Sequence, residues 1–150
     1  MSARNNINGT PLHLIGAHLL APTHSAYFNM RNDHLEELAS TAQRLPEPVM
    51  LIGDLNTSTW SPYFADLKQA SGLKDGRPGF GIQATWPVRF PLLRIPIDHC
   101  LVSPAIAIRD WARGPDIGSD HYPLVVDFSL PDSGARTKRQ NARAADSPVS

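Results

Sequence analysis

Three stretches of this chain join an apolar run to titratable side chains where a core residue is expected. Met50-Leu51-Ile52-Gly53-Asp54-Leu55-Asn56 ends an apolar run with an Asp and an Asn. Ile95-Pro96-Ile97-Asp98-His99-Cys100-Leu101-Val102 carries an Asp and a His inside one. Gly118-Ser119-Asp120-His121-Tyr122-Pro123 sets an acid beside an imidazole, directly ahead of the strand-like Leu124-Val125-Val126-Asp127-Phe128. Short apolar runs bounded by turn residues read as buried strands. A fold that accepts all three must hold polar groups at strand mouths, with rigid backbone behind them and a turn that exposes them. Asp98 constrains most, because a carboxylate within an apolar strand is costly unless it is paired.

The rest of the chain supplies strands and helices around these stretches. Leu12 to Leu20 is apolar except for His13, Gly16 and His18, and reads as a strand ending near His18. From about Ala26 to Leu45 the period becomes helical, with Leu35, Leu38, Ala42 and Leu45 on one face and Arg31, Glu36, Glu37, Gln43 and Arg44 mainly on others. Pro46 and Pro48 end that helix. Val49 to Asp54 is the next strand. Ser61-Pro62 reads as an N-cap and first helical position, and Gly72 as the stop of a short helix over Phe64, Leu67 and Ala70. Leu73 to Pro91 is loop-rich. Ile95 to Ser103 and Ala105 to Trp111 read as strands paired through a Ser103-Pro104 turn, and Leu124 to Leu130 as the last strand. The first residues form a polar lead-in. The domain is expected over residues 1–131, with a disordered tail over residues 132–150, where apolar periodicity ends.

Composition narrows the function. Lys plus Arg and Asp plus Glu each total 14, so the chain is neutral. Neutrality argues against a strongly basic nucleic-acid clamp, although it does not exclude a locally positive groove. The one cysteine, Cys100, excludes an intrachain disulfide framework and a Cys-rich zinc site, and it reads as a buried small hydrophobe. No apolar run approaches the ~20 residues of a membrane span, and the start carries no signal-peptide core. As given, the chain reads as cytoplasmic.

Gly53-Asp54-Leu55-Asn56, Ile97-Asp98-His99 and Gly118-Ser119-Asp120-His121, in that order, resemble the endonuclease/exonuclease/phosphatase superfamily. This is the fold of DNase I, abasic-site endonucleases, neutral sphingomyelinases and inositol polyphosphate phosphatases. His18, at the end of the first strand, adds a fourth match, and the resemblance covers roughly Leu12 to Leu130. It implies an α/β fold, a DNase I-like β-sandwich flanked by helices in four layers (α/β/β/α). It also implies a divalent-metal-dependent phosphoester hydrolase using Mg²⁺ or Mn²⁺. By resemblance, His121 is the catalytic histidine and Asp98 orients it. Asp54 aligns or deprotonates the attacking water and can touch the metal. Asn56 donates to the phosphate or orients the nucleophile. His18 is a second imidazole donor and Asp120 a metal ligand. Substrates implied are a nucleic acid, a phospholipid head group or a small phosphoester.

Other uses compete. Asp54 and Asn56 can cap the following loop, Asp120-His121 can be a plain turn, and His18 can be a satisfied core histidine. His13, His24 and His34 read as surface or structural. His99 alternates away from Asp98 and should face the opposite side. Arg31 can reach a phosphate or form a helix-face salt bridge. Trp60 and Tyr63 can line a substrate cleft or pack between loops.

The chain also departs from the family. The superfamily's first half supplies an Asn near its start and a Glu that is the principal metal ligand, and no Glu precedes His18 in this sequence. The expectation is therefore the C-terminal half to two-thirds of the domain, with an incomplete site. Exposed apolar surface and dimerisation through an open sheet edge are expected where further strands would pack, as is a membrane anchor in a full-length protein. The reading from another class is a non-catalytic binding module, or inactive remnant, that keeps the fold.

Overall fold

The computed structural model describes residues 1–7 and 9–131. In chain order the elements are β1 (Ser2–Ile7), β2 (Thr10–His18), α1 (Ser25–Arg44), β3 (Val49–Asp54), α2 (Pro62–Ser71), β4 (Lys74–Asp75), β5 (Asp98–Val102), β6 (Ala107–Arg113) and β7 (Leu124–Ser129). A short 3-10 turn covers Pro91–Leu93. The expected tail from Asp132 onward lies outside the described residues.

Strand β3 is the centre of a five-stranded sheet in the order β1-β2-β3-β5-β4. It runs parallel to β2 and antiparallel to β5. Its residues alternate between two apolar environments, as a doubly covered strand requires. Val49 and Leu51 join Ile15, Leu101, Phe64 and Leu35 in a core beneath α1 and α2. Met50 joins Leu12, Cys100, Val102 and Trp111 in a second core on the opposite face, with Ile52 packed against it. That second core is closed by β6 and β7, which form their own two-stranded antiparallel sheet. The layers among the described residues are helices, the large sheet and the small sheet, three of the four expected.

Helix and turn chemistry explain the covering elements. Leu35, Ala39 and Ala42 of α1 are buried at helical spacing, and Arg31 is buried with them. Its placement on an outer face is corrected: this guanidinium is part of the helix's inner stripe. Helix α2 starts with Pro62 at its first turn and stops at Gly72, whose φ of 71° is left-handed. Ser61 takes the N-cap position without a side-chain capping bond.

Two other expectations are corrected. β6 does not pair with β5 through Ser103-Pro104 but with β7, because the chain crosses from the large sheet to the small one at that turn. The polar lead-in is strand β1, paired antiparallel with β2 and exposed along its length. A strand with neither face covered needs no apolar alternation, so its residues gave no strand signal.

Gly53 is the tightest point of the sheet. Its φ is 142°, and a Cβ built there would overlap the Ala17 carbonyl of β2. Only glycine lets the two strands keep their register up to His18 and Asp54. Gly53→Ala is expected to cost about 2–6 kcal/mol, the sum of a disfavoured backbone region and an overpacked contact. The midpoint of urea unfolding measures it, and a loss under ~1 kcal/mol would reject the close-approach account.

Candidate active site

Sheet register brings the first group of predicted residues together. His18 of β2 lies opposite Asp54 of β3, and Asp54 lies opposite Asp98 of β5. Laterally paired residues share a face, so three polar side chains form one row across three strands. Counting back by twos, that face is the one bearing Met50 and Cys100, between the two sheets. The row ends the inter-sheet core and opens into a cavity of about 790 Å³. His18, Asp54, Asn56, Asp98, Asp120 and His121 all line it.

His121 reaches this row from the loop before β7. Two backbone bonds hold that loop: Val88 N–H donates to Asp120 O and Tyr122 N–H to Thr85 O, each at 3.0 Å. Inside the loop, Gly118 N–H donates to Asp116 Oδ1 at 2.8 Å and His121 N–H to Ser119 Oγ at 3.1 Å. Gly118 has φ 83°, the left-handed turn that this bend needs. The His121 Nδ1 lies 2.8 Å from Asp98 Oδ2, and its Nε2 lies 3.8 Å from Asp54 Oδ2. A carboxylate can only accept, so Nδ1 carries a proton and Nε2 is the nitrogen turned to Asp54 and the cavity. An imidazole held this way can take or give a proton at Nε2.

Asp54 is nearly buried, and burial raises its pKa above the ordinary 3.8; the Asp98 charge adds to this, while the Asn56 N–H, His121 and His18 oppose it. Its Oδ1 accepts the Asn56 backbone N–H at 2.8 Å, and its Oδ2 accepts from Asn56 Nδ2 at 3.0 Å. Asn56 Nδ2 also donates to Leu19 O at 2.7 Å. Both amide hydrogens are thereby used, and the group that Asn56 has left for a ligand is its Oδ1 acceptor.

His99 faces the other way, as alternation predicts. It is buried against Phe64, with ring centroids 4.3 Å apart. Its Nε2 donates to Thr57 O at 2.7 Å and its Nδ1 is buried without a partner, so the ring is neutral. Burial pushes its pKa down to about 4. That bond anchors the residue following Asn56. Cys100 is fully buried, and burial pushes its thiol up to about 12.

The carboxylates do not by themselves fit a metal centre. Among the described residues no three His, Cys, Asp or Glu side chains are grouped to hold an ion. Asp98 is committed to His121, both Asp54 oxygens accept from Asn56, and exposed Asp120 accepts the Trp86 indole N–H at 3.3 Å. The expected ligand pair Asp54 and Asp120 therefore lacks a completing group among the described residues.

The sequence profile of the Endonuclease/Exonuclease/phosphatase family matches residues 2–121. The chain belongs to this family. Its members are generally divalent-metal dependent. Similar solved structures include an endonuclease/exonuclease/phosphatase from Beutenbergia cavernae, with TM-score 0.69 and 20% identity, over 86% of this chain and 38% of that one. A humanized D. rerio TDP2 has TM-score 0.68 and 20% identity, over 86% and 59%. A mannosyl-6-phosphatase from Bacteroides thetaiotaomicron has TM-score 0.58 and 18% identity, over 82% and 53%. At these identities the likeness is one of fold, the DNase I-like α/β fold. The chain spans between 38% and 59% of the length of these three structures. Comparison with curated proteins gives no match.

Some placements differ from expectation. Trp60 is 66% exposed and does not line the cavity, and Tyr63 flanks Arg31. Among the described residues Arg31 forms no salt bridge; its Nη1 donates to Asn56 O at 2.7 Å. Trp86, an aromatic of the loop-rich connection with no site role assigned to it, lines the cavity and holds Asp120. Its place within a long Gly/Pro-rich connection was the available signal. Among the described residues no helix is long and apolar enough to cross a membrane.

The His99 environment predicts a pH dependence. Its folded pKa lies below the unfolded 6.5, so its contribution is fully present above pH ~6.5 and is lost as pH falls towards about 4. The unfolding free energy of wild type minus that of His99→Phe should fall by roughly 3 kcal/mol as pH drops across that window. A pH-independent difference would mean that His99 is not buried neutral.

Proposed function

We propose that this chain carries the water-activating part of a phosphoester hydrolase site. The observation that carries the reading is the His121 imidazole, held by Asp98 at 2.8 Å with its Nε2 3.8 Å from Asp54, both lining one cavity. Asp98 fixes the tautomer and stabilises the imidazolium when His121 takes a proton. His121 Nε2 exchanges a proton with the attacking water or with a phosphoryl oxygen. Asp54 aligns that water. Its raised affinity for protons makes it a stronger base than an ordinary carboxylate; burial raises it, and Asn56, His121 and His18 offset part of that rise. Asn56 orients the water through Oδ1, because its amide hydrogens are already spent and cannot donate to phosphate. His18, on the opposite flank of Asp54, supplies a donor to a phosphate oxygen when protonated.

The substrate class is a phosphodiester or phosphomonoester small enough, or extended enough, to enter a side-open cavity. Neutral net charge favours a short or small substrate over a long polyanion. The second reading is a binding module with the same fold, in which the same cavity and His121–Asp98 pair would hold a phosphoester without turning it over.

Hydrolysis of bis(p-nitrophenyl) phosphate, with Mg²⁺, with Mn²⁺ and with chelator, separates the two. His121→Ala and Asp98→Asn are each expected to lower the rate by about 10²–10⁴-fold. Equal rates in wild type and His121→Ala under all three conditions would reject the hydrolase reading for this chain. On the acid side, the rate should fall at a pH above 3.8, since Asp54 protonates there. Asp54→Asn should abolish that limb along with most of the turnover.

A further inference from the structure

Arg31 is a charged side chain in the core without an acid to justify it. It is 3% exposed, and among the described residues no carboxylate pairs with it. Its guanidinium carbon lies 5.0 Å from the Phe28 ring centroid and 5.5 Å from that of Tyr63, and those two rings meet edge-on. Its Nε is buried without a partner. Among the described residues, the one hydrogen bond it makes is the donation of Nη1 to Asn56 O, at 2.7 Å. Burying an arginine this way is expensive, and two aromatic faces offset only part of the cost. A neutral apolar residue beside Leu35 would pack at lower cost.

What that bond holds is unusual backbone. Asn56 has φ 46°, and it is the only described non-glycine residue with positive φ. The turn sends its carbonyl back towards α1 while its side chain faces the cavity. Every other polar group of Asn56 except Oδ1 is also tied: the backbone N–H and Nδ2 to Asp54, and Nδ2 to Leu19 O. A left-handed asparagine is locally unstable by on the order of 1 kcal/mol or more and persists when its surroundings hold it. The guanidinium is the part of that clamp that comes from the helix layer.

We propose that Arg31 is a positioning residue of the site: by holding the Asn56 carbonyl in the left-handed turn, it aims the Asn56 side chain, and through it the Asp54 carboxylate, at the attacking water. This rests on the phosphoester hydrolase reading for its consequence in turnover, but not for its geometry. The aromatic pair selects arginine over lysine, since a planar guanidinium stacks between rings while its fork still reaches a carbonyl.

The test uses Arg31→Gln and Arg31→Lys in the full chain. The first readout is hydrogen exchange of the Asn56 side-chain amide by NMR, alongside the melting temperature. Exchange at least about 10-fold faster in Arg31→Gln, with Arg31→Lys between it and wild type, is the expected result. The second readout is turnover of bis(p-nitrophenyl) phosphate. Here kcat should fall about 10- to 100-fold with KM within about twofold, as for a displaced group that does not touch substrate. Either variant, folded and with wild-type Asn56 amide exchange, overturns the proposal. If Arg31→Gln does not fold, Arg31→Lys alone decides by the same criterion. If wild type itself shows no turnover, the hydrolase reading fails while the amide exchange still decides the role of Arg31.

Discussion

The antiparallel pairing of β3 with β5, and its parallel pairing with β2, set the position of every group in the site. These ladders fix which residue of each strand stands beside which, and they place His18, Asp54 and Asp98 in one row. The row sits at the end of the inter-sheet core, so its apolar members lock the register and its polar members inherit the position. The backbone bond from Leu55 N–H to Ile97 O and that from Leu19 N–H to Asp54 O extend the same ladders one step past the strands. The loop carrying Asn56 therefore starts from a fixed frame. Gly53 is the local condition for this: without its missing Cβ, β2 and β3 could not approach closely enough for the row to form.

Around that row, the molecule divides its polar side chains between those that face the cavity and those that support them. Asp98 serves His121, and Asn56 serves Asp54. Behind them, Arg31 and His99 hold two successive carbonyls, those of Asn56 and Thr57. One belongs to the helix layer and the other to the back of β5, so the loop carrying Asn56 is pinned by both elements that flank it. Each support is a titratable side chain placed where an apolar one would pack at lower cost. That expense is what distinguishes a held loop from a merely covered one.

Much of this was legible from the residues. β3 has the bounds expected of it, because a central strand buried on both faces is a continuous apolar run. That these residues gather at one cavity was legible because an acid or imidazole at the mouth of such a run has no cheap structural use, Asp98 above all. The face of His99 followed from strand alternation alone. Other features were illegible for physical reasons. β1 is exposed throughout and carries no pattern, and β4 is two residues long. The pairing of β6 depends on which sheet the chain enters after Ser103-Pro104, a long-range choice that local sequence does not encode. Arg31 was assigned to an outer face because charge usually marks the solvated side of a helix; only its contact with a carbonyl twenty-five residues away reverses that. The spent hydrogens of Asn56 likewise depend on Leu19, far from it in sequence.

The adjacency of Asp98 and His99 on opposite faces of β5 restricts how this family member can change over evolutionary time. A one-residue insertion or deletion between His99 and Val102 would exchange the two faces on one side of the lesion. The carboxylate would then enter the layer against Phe64, and the neutral imidazole would enter the cavity. Both would be in environments that disfavour them, so no partial version of the site lies along that route. A length change in the connections, such as residues 76–95 and 114–120, leaves that frame intact. Those segments carry Trp86, Asp120 and the exposed Phe90, Leu92 and Leu93. The rim of the cavity can therefore change in length and shape without moving the row at its floor out of frame.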